Sequence, residues 1–76
     1  MSKAEMLMEY ASQDIVAWSM DDDDIDIDEA LHRFYTSTTF EKLTDAETGL
    51  YLDAPVSIYS MYRDELEKGK FVQNEI

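Results

Sequence analysis

Apolar side chains return every three or four residues along most of this chain, the period of helices that bury one face. Ala4, Leu7, Met8, Ala11, Ile15 and Trp18 fall on one stripe, while Lys3, Glu5, Glu9, Gln13 and Asp14 fall mainly elsewhere. Ser2 stands three residues before Glu5, a spacing at which hydroxyl and carboxylate each satisfy an unpaired amide at a helix start. The pattern predicts an amphipathic helix of about five turns that ends near Met20. Asp21 to Asp24 follow as four like charges of poor helix propensity, and are expected to break the helix and form a loop.

Asp26 and Glu29 repeat the capping spacing, with Ile25 outside and Ala30 inside as a hydrophobic staple, so a second helix is expected from about Ile27. Ile27, Ala30, Leu31, Phe34 and Tyr35 keep its apolar period without a miss, and Asp28 and Glu29 suit the positive end of its dipole. The run Thr36 to Thr39 makes a boundary, because hydroxyls compete for backbone groups. Thr38 with Glu41 then caps a short helix from Thr39 to about Thr44 that buries Phe40 and Leu43.

Asp45 to Gly49 reads as a turn in which Gly49 supplies a positive φ, and a helix reaching Thr48 with Gly49 as its C-cap fits nearly as well. Leu50, Tyr51 and Leu52 are expected to lie extended across the bundle, too short and isolated to argue for a sheet. Asp53 is expected to cap the last helix, with Pro55 in its first turn, where a missing amide hydrogen costs nothing. Pro55, Ile58, Tyr59, Tyr62 and Leu66 share a face there, edged by Val56 and Met61; Asp64 precedes Lys68 by four, and Gly69 marks the end. The reading is an all-α domain over residues 1–69, a small bundle of three main helices plus a short helical turn. Residues 70–76 form a tail, either frayed or docked on a partner.

Composition sharpens this picture. The chain has 76 residues, 45% of them hydrophobic and nine of them aromatic, more than a disordered acidic chain carries. A domain this small buries only about 60% of the surface that its unfolded chain exposes, so one core is expected and stability is marginal or shared. The net charge is −12, and residues 21–29 alone hold seven of the eighteen carboxylates. The six Lys and Arg form no cluster, which argues against direct binding of nucleic acid. Cysteine is absent, in keeping with a cytoplasmic setting, and no apolar run approaches the ~18 residues of a membrane span. No membrane partner and no cofactor is expected.

The Asp-rich segment invites a divalent-cation reading through Asp22, Asp24 and Asp26, because hard cations prefer clustered carboxylates. The calcium-loop grammar fails, with Ile27 where the turn glycine belongs and Arg33 where the bidentate Glu belongs, so a solvated linker with ordinary caps is the stronger reading. His32, the only histidine, lies four residues after Asp28, and a surface pair is favoured over a metal or proton-transfer site. No catalytic residues are assigned: no nucleophile elbow, Ser-x-x-Lys pair, second histidine or phosphate-cradling glycine loop occurs.

The order Leu31, Phe34-Tyr35, Ser37, Phe40, Leu43, Asp45, Thr48-Gly49-Leu50-Tyr51, Ala54-Pro55, Tyr59, Glu65-Leu66 resembles a group of short bacterial helical proteins that share a domain of unknown function. The resemblance covers about residues 30–69 and rests on turn and core positions, and it implies a compact helical domain. Some such proteins are similar in size and setting to small partner proteins encoded beside toxin-like genes. The functional expectation is a non-enzymatic protein-interaction module whose partner is a protein, including a second copy in a homodimer. It uses Trp18, Tyr51 and Tyr62 as aromatic contacts and Asp21, Asp22, Asp23 and Asp24 as a charged strip. The alternatives are an acidic regulator, a nucleic-acid mimic or antitoxin-like partner that docks on a basic protein, and a divalent-cation binder.

Overall fold

The Ser2 hydroxyl accepts the Glu5 amide at 3.1 Å while the Glu5 carboxylate accepts the Ser2 amide at 3.0 Å, so the chain enters its first helix through the reciprocal cap that its sequence predicts. In the computed structural model, which describes residues 2–69, α1 spans Lys3–Asp23, α2 Ile27–Tyr35, α3 Thr38–Leu43 and α4 Pro55–Lys68. Two 3-10 turns, Ala46–Thr48 and Leu50–Leu52, link α3 to α4, and no strand occurs among the described residues. This is the expected all-α arrangement of three long helices and one short one; the tail assigned to residues 70–76 lies outside the described residues.

Four local expectations are corrected. α1 does not stop at Met20 but runs through Asp21 and Asp22 to Asp23, because partners on other helices take up the carboxylates of the last two. It ends at Asp24, whose backbone turns left-handed at φ 52°, ψ 50°, with the amides of Asp24 and Ile25 both donating to the Met20 carbonyl. α3 is capped by Ser37 and not Thr38: the Ser37 hydroxyl accepts the Phe40 amide at 3.1 Å, while the Thr38 amide turns to Glu65. Leu50–Leu52 coils into a 3-10 turn in place of an extended crossing, since Gly49 at φ 68° redirects the chain and the coil buries Leu50 while leaving Leu52 outside. α4 starts after Ala54 without a side-chain cap, Asp53 making none; Pro55 removes one of the amides that a cap would serve.

α1 packs against α2, α4 and the second 3-10 turn, and α3 closes the far side against α4 and α2. The centre is Phe34, fully buried, with Tyr62 edge-on at 5.1 Å and Phe40 edge-on at 5.3 Å, an arrangement worth about 0.5–1.5 kcal/mol per pair beyond burial. Ile15, Ala30, Leu43 and Ile58 fill the space around it. Along α1 the buried stripe is Ala11, Ile15, Val16 and Ser19, so Trp18, expected on that face, sits at its edge with 37% of its surface exposed. The body measures 33 × 31 × 18 Å, only about two helix diameters thick, so the side of α1 that meets no other helix is open to solvent.

Candidate functional site

Two surfaces were candidates from the sequence, the acidic run and the aromatic side chains, and the structure treats them differently. At the acidic run the C-terminal turn of α1 lies against α4. The Tyr59 hydroxyl donates to Asp22, and Arg63 donates to Asp23 at 2.8 Å. Arg33 of α2 approaches the same Asp23 oxygen at 3.8 Å and also pairs with Glu29 one turn back. The Tyr59 ring packs at a tilt against Trp18, centroids 5.4 Å apart, and the Arg63 guanidinium stands over the Tyr59 ring at 5.9 Å from its centroid. Asp23 with its two arginines, and Asp22 with its phenol, thus clamp the end of α1 to α2 and α4.

The electrostatics follow from these contacts. The hydrogen bond from Arg63 holds the Asp23 carboxyl below its ordinary range, and that same bond raises the Arg63 guanidinium. Burial, reinforced by the bond to Asp22, pushes the Tyr59 phenol up to about 12. The neighbouring Ser19 hydroxyl favours the ionised phenol slightly, yet it is buried with no hydrogen-bond partner among the described residues.

As a free acidic strip the run is therefore reduced to Asp21 and Asp24, which are exposed and take part in no ion pair among the described residues. As a cation site it is not assembled either. Asp22 serves Tyr59, Asp24 is the left-handed helix end, and one Asp26 oxygen accepts the Glu29 amide at 2.9 Å as the cap of α2. Among the described residues no group of three metal-ligating side chains comes together. His32 is exposed and makes no ion pair with Asp28, nor does Asp64 with Lys68, among the described residues.

Of the aromatic candidates, Tyr62 is corrected: it is wholly buried under Phe34 and offers nothing to a partner. Tyr51 is half-buried against the core and Trp18 is tied to Tyr59. Two other exposed apolar side chains, Ile27 and Tyr35, border a groove. This groove of about 330 Å³ runs between α1 and α2, floored by Val16, Ala17 and Met20 and walled by Ile27, Leu31 and Tyr35. Past Tyr35 it continues along α1 between Met8 and Phe40 toward Ala4 and Ala46, the two parts sharing Glu9, Ser12 and Tyr35. Ile27 and Tyr35 are each about half exposed, at 53% and 52%.

Sequence reasoning placed Ile27, Leu31 and Tyr35 on an apolar stripe but read the stripe as core. The signal that it exceeds the core is its width: Ala30 and Phe34 alone fill the buried half of α2. The clamp was missed for a different reason. Tyr59 and Arg63 stand four residues apart on one face of α4, which the sequence shows, but nothing in it says that this face meets the end of α1.

The chain was compared with protein-family models, with curated proteins and with solved structures, and none of the three comparisons gives a match. No described helix is long and apolar enough to cross a membrane.

Proposed function

We propose that this protein is a non-enzymatic protein-interaction module, and that the groove along α1 is its binding surface. The observation that carries the reading is the half-exposed pair Ile27 and Tyr35 facing an apolar floor. Contiguous apolar surface of this kind is costly to leave in water, and a partner covers it at about 25 cal/mol per Å². The lack of cysteine favours a cytoplasmic setting. A regulator acting mainly through the acidic run draws less support, since Asp22 and Asp23 are already engaged within the fold.

Ala17→Trp tests the reading. Ala17 is exposed on the groove floor, so the larger ring fills the groove without entering the core. Peptides selected from an unbiased display library are expected to bind the parent protein and to lose binding to this variant. Selected peptides that bind both equally, or a selection that yields none, would remove the groove from consideration.

A further inference from the structure

The groove has a charge as well as a shape. Its lining includes two carboxylates, Glu5 and Glu9, and no lysine, arginine or histidine. Asp21 lies four residues after Ala17, on the same row of α1 just past the groove floor, and Asp24 is the left-handed residue that closes the helix beyond it. Both are exposed and take part in no ion pair among the described residues. On α2, Asp28 sits beside Ile27. Of the described cations, Arg63 pairs with Asp23, and Arg33 pairs with Glu29 and approaches Asp23. The apolar trough thus carries carboxylates at its Glu5–Glu9 end, with further exposed carboxylates just past the other end of its floor.

Its dimensions suit one kind of occupant. From Ala4 to Met20 the groove follows α1 over sixteen helical steps, about 24 Å at 1.5 Å each, the length of a helix of four to five turns. Its walls are helices and the described fold has no sheet edge, so it offers a seat for a helix laid between α1 and the α2–α3 side, and none for an added strand. Met8 and Met20 along it are unbranched and adapt to an incoming side chain. A second copy of this chain would bring a net charge of −12 against −12, with the same acidic rim meeting itself about a two-fold axis.

We infer that the groove takes a cationic amphipathic helix of a different protein. That helix lays an i, i+3, i+4, i+7 apolar stripe on Val16, Met20, Ile27, Leu31 and Tyr35, and its flanking Lys or Arg residues face Glu5, Glu9, Asp21 and Asp24. This inference rests on the groove being the interaction surface and adds the chemistry of what fills it. The acidic run then acts at the groove's end, where the two carboxylates not used by the clamp meet the partner's charge.

Three synthetic peptides of about 18 residues, roughly 27 Å as helices, share one Leu stripe and differ in the polar face: Lys, Gln or Glu. Each is titrated into the full chain while backbone amide resonances are followed. The Lys peptide is expected to shift Val16, Ala17, Ile27, Leu31 and Tyr35, to bind at least about tenfold more tightly than the Gln peptide, and to weaken as salt rises. Ala17→Trp should abolish the shifts, and the combined substitutions Glu9→Gln, Asp21→Asn and Asp24→Asn should weaken binding about tenfold while leaving the melting temperature nearly unchanged. Equal binding of the Gln or Glu peptide in the groove would overturn the cationic partner and leave the interaction module standing. So would concentration-dependent self-association that Ala17→Trp abolishes. Shifts confined to Asp21–Asp24, with the groove silent, would overturn it as loose charge pairing. A groove that answers to no peptide and no second copy would end both readings.

Discussion

Arg63 on α4 donates a 2.8 Å hydrogen bond to Asp23, forty positions earlier in the chain, and so joins the last turn of the first helix to the last helix of the fold. The pair is partly exposed, with 37% of the Arg63 side chain and 19% of the Asp23 side chain open to solvent. Its worth is therefore about 1 kcal/mol and not the several expected of a dry pair. Asp23→Asn should lower stability by that amount, whereas Asp21→Asn should change it by less than about 0.5 kcal/mol. Urea midpoints of the two variants check the difference, and equal midpoints would mean that the clamp is not what holds the helix end.

The same pair sets a pH dependence. The Asp23 carboxyl is held below its ordinary value of 3.8, so its contribution is complete above that value and is lost as pH falls through the lower folded-state value. Melting temperatures recorded from neutral pH into acid should fall, and the fall should be shallower in Asp23→Asn. On the alkaline side the sign reverses for Tyr59, whose phenol is raised to about 12 from 10.0. Its contribution is present below pH 10 and lost as pH climbs toward 12, and Tyr59→Phe should remove that late step from the ultraviolet phenolate titration.

Glu65 reaches from α4 to the start of α3, where its carboxylate accepts the Thr38 and Thr39 amides at 2.9 Å each and the Thr39 hydroxyl at 2.8 Å. Thr39 is wholly buried, so Glu65→Ala would strand its hydroxyl and amide; the expected loss is about 2–3 kcal/mol. Glu65→Gln, which keeps one acceptor oxygen, should lose less. Amide hydrogen exchange at Thr38 and Thr39 reads the cap directly, and unchanged exchange in Glu65→Ala would refute its role.

Ser19 makes the opposite prediction. Its hydroxyl is buried with no hydrogen-bond partner among the described residues, and an uncompensated buried hydroxyl costs stability. Ser19→Ala should leave stability unchanged or raise it by up to about 1 kcal/mol, which for a domain of this size moves the melting temperature up by about 4–8 °C. A clear drop would show that the hydroxyl has a partner, the Tyr59 oxygen being the nearest candidate.

Asp24 closes α1 at φ 52°, in the left-handed region where a side chain is strained and glycine is not. Asp24→Gly should therefore stabilise the protein by about 0.5–1 kcal/mol, read from the urea midpoint. A loss would indicate that the carboxylate serves the fold after all.

What the sequence determined by itself is the local layer. The three-and-four spacing produced α1, α2 and α4. Ser2 with Glu5, and Asp26 with the Glu29 amide, start helices where they were predicted, and Gly49 and Gly69 turn left-handed at φ 68° and 74°, a backbone conformation that strains any residue carrying a side chain. These features depend on residues within one or two turns of each other, so periodicity and spacing are enough to see them. Only the tertiary structure decided that Asp21–Asp23 remain helical, because the force that overrides their poor propensity comes from Tyr59 and Arg63 on a distant helix. It also decided which aromatic rings are core and which are surface. Tyr62 and Tyr35 lie on equally regular apolar stripes, yet α1, α3 and the Phe34 ring close over the first while the second is left half open. Burial depends on which faces meet, and that relationship is not written in the spacing of any one helix.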